Sequence, residues 1–170
     1  MSRGFVKEDD QEEAPFIPPR AALPAGVINY VTPGGLEQLQ REKIQLEDQF
    51  TKLNIEDEKE QRHARAVITG KLNLLKERLN SARVIEPLDQ PREEVRFGAA
   101  VTFEVISGEQ KGTIKNFKIV GVDEADIKLQ KIAFVAPIAG VLTGKKVGET
   151  VKFKRGSAVQ EFKILEIAYA

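Results

Sequence analysis

Apolar residues recur at alternating steps of three and four through Leu36, Leu39, Leu46, Phe50 and Leu53, with Lys43 filling the one missing step. That spacing keeps a single stripe on one face of a helix and matches the seam of a coiled coil. The stripe stops, the polar run NIEDEKEQRHA follows at 54–64, and the stripe resumes at Ile68, Leu72, Leu75, Leu79 and Ala82. Thr32-Pro33 marks the start of the first helix, because threonine caps and proline suits the first turn. Gly70 costs some helix stability without interrupting the stripe. Two amphipathic helices joined by so short a gap must fold back antiparallel, since neither hides its stripe alone. Pairing Leu39 with Leu79, Leu46 with Leu72 and Phe50 with Ile68 places the turn near residue 59.

Beyond Pro87 and Pro91 the period changes. AAVTFEVI, GTIKNFKIVG, KIAFVAP, ETVKFKR and VQEFKILEIAYA are β-branched and aromatic runs with partial alternation, separated by glycine or acidic turns. PIAGVLTGKKVGE, between the third and fourth, suits a short helix and loop. The pattern predicts a largely antiparallel sheet with one small helix, its core built on Phe97, Phe103, Phe117, Phe134, Phe153 and Phe162. The fold class is therefore α+β. Residues 1–27 form an acidic and proline-rich tail, expected to be disordered. The hairpin occupies 28–85 with its acidic tip at 55–61, a linker spans 86–94, and the β domain spans 95–170.

The formal net charge of zero averages over unlike regions. Residues 1–13 carry five acids against two bases, and residues 56–60 carry four acids against one lysine. From Arg62 to Arg83 six bases face only Glu77. The absence of cysteine removes disulfide and thiolate chemistry, and a single histidine makes a zinc site a poor expectation. No apolar run approaches a membrane span, and MSRGFVKEDD lacks the apolar core of a signal peptide, which points to the cytoplasm.

The sorted charge supplies the candidate chemistry. Asp57 with Glu60 three positions on fits a helix N-cap, and acids favour a helix N-terminus. Capping accounts for one or two acids. Glu56, Asp57, Glu58 and Glu60, with no apolar residue from 56 to 63, suit a target that is cationic or bears a metal. On the second helix Arg62, Arg65 and Lys71 are candidate phosphate contacts; an ordinary solvated face explains them equally. Asp123, Glu124 and Asp126 fit a turn between strands.

TPGGLEQLQREKIQLE, LNSARVIEP, FGAAVTFEV, IVGVDEADI and APIAGVLTGKKVGETVKF together resemble the Gre family of bacterial transcript-cleavage factors, over about residues 28–170. The resemblance implies an antiparallel coiled coil followed by an FKBP-like β domain. It implies binding to RNA polymerase core enzyme through its secondary channel, as a monomer and an accessory factor with no catalysis of its own. In the family, two tip carboxylates share a magnesium ion with the polymerase and promote cleavage of the nascent RNA 3′ end in backtracked complexes. The family's Asp-Leu-Lys-Glu-Asn motif corresponds to DEKEQ at 57–61. Asp57 and Glu60 then fall on the acidic pair and Lys59 on the lysine, while Glu58 replaces leucine and Gln61 replaces asparagine. Pro137 and Ile138 fall in the stretch near the polymerase-docking surface, where Ala136 replaces the family's serine. From Gly35 to Arg83 the hairpin is shorter than the family's by roughly fifteen residues, or ~10 Å per strand. That shortening resembles the regulators of nucleoside diphosphate kinase, whose expected action is to occlude the channel without cleavage. A coiled-coil adaptor unrelated to transcription is the third reading.

Overall fold

A computed structural model describes residues 13–170. Strand β1 (Asn29–Val31) leads into helix α1 (Pro33–Lys52); helix α2 (Glu58–Ser81) runs back and ends in strand β2 (Ala82–Val84). Thr32 caps α1, its hydroxyl accepting from the Gly35 amide at 2.9 Å, with Pro33 in the first turn. Leu39, Leu46 and Leu75 are buried in the seam with Val31, and Leu36, Ile68, Leu72 and Leu79 pack against them. Burying each such side chain contributes about 1.5–3 kcal/mol. At the foot of the hairpin β1 and β2 pair in parallel, Tyr30 opposite Arg83.

Two details of the hairpin differ from the sequence pattern. The connection is residues 53–57, so the turn centres on Ile55 and not near residue 59. Phe50 is 38% exposed and carries the Arg65 guanidinium 5.6 Å above its ring, so it is not a buried seam residue.

The second half is a five-stranded sheet in the order β5-β4-β3-β7-β6. Its strands are β3 (Ala100–Val105), β4 (Ile114–Val120), β5 (Lys131–Ala133), β6 (Thr150–Arg155) and β7 (Ala158–Ala168), with helix α3 (Pro137–Leu142) before β6. All pairings are antiparallel except β4 with β5. Between Thr102 and Phe103 of β3 the β7 register shifts from Glu166 to Ile164, leaving Leu165 as an extra residue. This bulge explains why the alternation of FKILEIAY breaks: Phe162 and Ile164 face inward, then Ile167 and Tyr169. Phe103 and Phe162 are fully buried at a ring separation of 4.7 Å, and Val95, Val101, Ile119 and Leu142 complete the core. Phe117 and Phe153 pack at its edge, while Phe97 and Phe134 meet Tyr30 of the hairpin foot at 5.9 and 5.7 Å.

Part of the N-terminal tail makes contacts with the hairpin and the β domain. Its residues 14–26 form no helix or strand, yet Ile17, Arg20 and Ala21 touch the hairpin. Ile17 sits on α2 where Gly70 leaves room: a Cβ there would lie 2.5 Å from Ile17 Cδ1. Arg20 forks onto Glu42 of α1 at 2.7 and 3.0 Å and donates to Asp123 at 2.8 Å. The acidic cluster of residues 1–12 lies outside the described residues.

A candidate functional site at the hairpin tip

The tip is built by the end of α1, the connection 53–57 and the first turn of α2. Asp57 is the N-cap of α2 (φ −74°, ψ 118°), and its Oδ1 accepts from the Glu60 amide at 2.8 Å. Glu58 and Glu60 occupy the first turn, where the partial positive charge of the helix end favours carboxylates. Glu56, Asp57, Glu58 and Glu60 are all exposed. The acids therefore stand on the α2 side of the tip and do not straddle the turn. Just beneath them Gln61, in the amide orientation that satisfies both ends, donates to the Ile55 carbonyl at 2.6 Å and accepts from Arg65 at 3.2 Å. With Arg65 also over Phe50, this stiffens the connection from below.

The basic candidates are not one stripe. At 100° per residue, Arg62 and Arg65 share a face, whereas Lys71 lies nine positions on and points to the opposite side. Arg65 is engaged in holding the tip, and Lys71 lines a cleft with Pro18, Arg20 and Glu42. On α3, Pro137 is exposed at the first helical position, whereas Ile138 is half-buried and packs on the β-domain core.

The foot of the hairpin is where sequence reasoning saw only a turn. Glu124 is 8% exposed; its Oε2 accepts from the Thr32 hydroxyl at 2.5 Å and its Oε1 from Lys131 at 3.0 Å. The cap of α1 is thus itself held by the β domain. A Cβ on Gly35 would lie 2.7 Å from Glu124 Oε2, and one on Gly121 would lie 2.7 Å from the Tyr30 carbonyl oxygen. Asp123 receives both Arg20 and Arg78, the latter at 3.2 Å. Asp126 caps the short turn Ile127–Leu129. The glycines and acids of IVGVDEAD were the available signal: small residues permit the close approach, and the carboxylates supply the partners. The Glu42 carboxylate, which takes two of its N–H groups, holds the Arg20 guanidinium protonated more firmly than usual, with Asp123 adding to the effect against burial.

Residues 90–169 match the family described as transcription elongation factor, GreA/GreB, C-terminal domain. The C-terminal domain resembles the GreA/GreB family. A transcription elongation factor GreA from Trichlorobacter lovleyi is 38% identical to this chain over 102 residues, which is 60% of this chain and 63% of that protein. The GreA of a Psychrobacter species is 41% identical over 93 residues, 54% of this chain and 57% of its own length. The matched region thus spans less than two thirds of these relatives. Among solved structures, the GreA/GreB factor of Nitrosomonas europaea has 21% identity, covers 82% of this chain and 98% of its own, and gives a TM-score of 0.40. GreA factor homolog 1 of Thermus thermophilus has 19% identity, covers 82% and 97%, and gives 0.39. The matched domain contains Asp123, Glu124 and Lys131, so the region similar to the family holds the acids that seat the hairpin.

A magnesium ion is implied by the family resemblance, and the tip donors bear on it. Asp57 and Glu60 are two carboxylates one helical turn apart, and the Asp57 Oδ1 is already engaged in capping. Mg²⁺ takes six oxygens at near-ideal octahedral geometry. Among the described residues no group of three or more His, Cys, Asp or Glu side chains could hold a metal. Two carboxylates alone would leave most of that shell to other ligands. No helix among the described residues is long and apolar enough to cross a membrane.

Proposed function

We propose that this protein is a cytoplasmic transcription elongation factor that binds RNA polymerase and delivers the tip of its hairpin into the polymerase's secondary channel. The observation that carries the reading is the exposed cluster Glu56, Asp57, Glu58 and Glu60 at the end of the hairpin remote from the Gre-type domain. α1 has 20 residues. A helix of that length sets the tip about 30 Å from its foot at 1.5 Å per residue.

In this reading the protein does no chemistry alone; it promotes cleavage of backtracked RNA at the polymerase's own centre. A shared Mg²⁺, when bound, neutralises charge on the scissile phosphodiester. The chain's part is positional. Capping fixes the Asp57 carboxylate relative to the Glu60 backbone, so Oδ2 of Asp57 is offered with little freedom left to lose, beside the exposed Glu60 side chain. Glu56 and Glu58 add negative potential that favours a cation at the same end.

The test uses stalled, backtracked elongation complexes, with shortening of the RNA 3′ end as readout. Asp57→Asn keeps a good capping residue and removes the charge. Wild type should stimulate cleavage, and Asp57→Asn and Glu60→Gln should lose at least about tenfold of that stimulation. A second reading, occlusion of the channel without cleavage, is favoured by the commitment of Asp57 to the cap and the modest length of α1. It expects no cleavage by wild type together with competition against a cleavage-active Gre factor. Failure to bind core polymerase at all would remove both.

A further inference from the structure

We propose that residues 13–21 form a diagonal brace that fixes the direction of the hairpin relative to the Gre-type domain, with Arg20 as its key positioning residue. The hairpin is attached at its foot by the β1–β2 pair, the Thr32–Glu124 hydrogen bond and the Arg78–Asp123 ion pair. A rod held only at its foot is a lever. Tilting a ~30 Å rod by about 10° moves its end by ~5 Å, larger than the tolerance of any shared ligand site.

The N-terminal segment adds a second point of attachment, higher up. Gly70 lies near the middle of α2, which runs from Glu58 to Ser81, and Ile17 occupies the space that its missing side chain leaves. Three residues on, Arg20 joins three parts of the molecule: its own segment, Glu42 of α1 and Asp123 of the β domain. The side chains of Arg20 and Asp123 are only 17% and 7% exposed, so water competes weakly for the pair. Arg78 of α2 donates to the Ala21 carbonyl and also pairs with Asp123, closing the group. Seat and clamp together triangulate the rod. This also gives Gly70 a purpose that helix propensity denies it: the glycine is a socket.

The chain has no cysteine, so two can be introduced without interference. Asn54→Cys at the tip and Glu109→Cys in the β3–β4 turn are both exposed positions for spin labels. Pulsed dipolar spectroscopy on the free 170-residue chain should give one narrow distance peak. Arg20→Ala and, separately, Gly70→Leu should each lose that single peak, while Arg20→Lys, which keeps the charge but cannot fork, should restore it in part. Gly70→Leu removes no charged partner and favours the helix, so loss of α2 does not explain its effect. Unchanged peaks in Arg20→Ala or in Gly70→Leu would overturn the brace. Its functional weight rests on the polymerase reading, but the measurement does not. A narrow peak that both variants lose, with wild type inert in the cleavage assay and unable to bind polymerase, leaves the brace standing and removes that reading.

Discussion

The Tyr169 hydroxyl donates to the Glu94 carbonyl at 2.6 Å and accepts from the Arg96 amide at 2.9 Å, fastening the end of the sheet to the segment that enters it. Burial raises its pKa, by penalising the phenolate, while the Arg96 amide opposes the shift. The sign follows: above the ordinary phenol value of about 10 the unfolded chain gives up this proton while the folded chain keeps it. The contribution is complete below that value and is lost as pH climbs through the raised one. Tyr169→Phe should cost about 1 kcal/mol at neutral pH from the lost hydrogen bonds, read from urea midpoints. Above pH 10 its stability should fall less steeply than that of wild type; equal slopes would assign the alkaline loss to other groups. Asp57 makes a matching case at the tip. Asp57→Ala should lower stability by about 1 kcal/mol, whereas Asp57→Asn should be close to neutral, by the same denaturation measurement. That pair separates the cap, which was readable from Asp57 and Glu60 in sequence, from any work the charge does.

At the scale of elements, the leucine stripes were enough to read two antiparallel helices, and the five β runs were enough to read five strands. The turn was misplaced because the polar run 54–64 has no periodicity, so a pairing built from the apolar stripes alone slid past Ile55. The β1 and β2 strands were invisible for a related reason: at three residues each they are shorter than the pattern that announces a strand. The bulge at Leu165 could not be seen in β7 by itself, since it exists only against β3. The contact that joins helices to sheet makes a sharp test. Gly121 packs on the Tyr30 carbonyl, and a backbone oxygen cannot rotate away as a side chain would. Gly121→Ala should therefore destabilise by about 1–3 kcal/mol. The thermal midpoint should fall, with loss of the Tyr30 environment by fluorescence; an unchanged midpoint would mean the foot of the hairpin is looser than its packing indicates.

For the whole molecule, the decisive contacts join residues far apart in the chain. Arg20 and Asp123 are 103 positions apart, and Thr32 and Glu124 are 92 apart. Contacts between distant residues show locally only as acids and glycines without a visible partner, which is why the acids of VDEAD read as an ordinary turn and the proline-rich segment as a loose tail. The same long-range wiring sets an order of events at the ribosome. β3 lies between β4 and β7, so the sheet stays open along one whole edge of that strand until Ala158–Ala168 has been made. The α1–α2 seam, by contrast, closes through neighbours in sequence, before the downstream residues that hold its foot are needed. On stalled nascent chains of increasing length, protease resistance should appear in α1 and α2 first and in the β domain only once β7 has cleared the exit tunnel. Until then Asp123 and Glu124 have no settled sheet to stand on, and the helical rod is born before it has a direction.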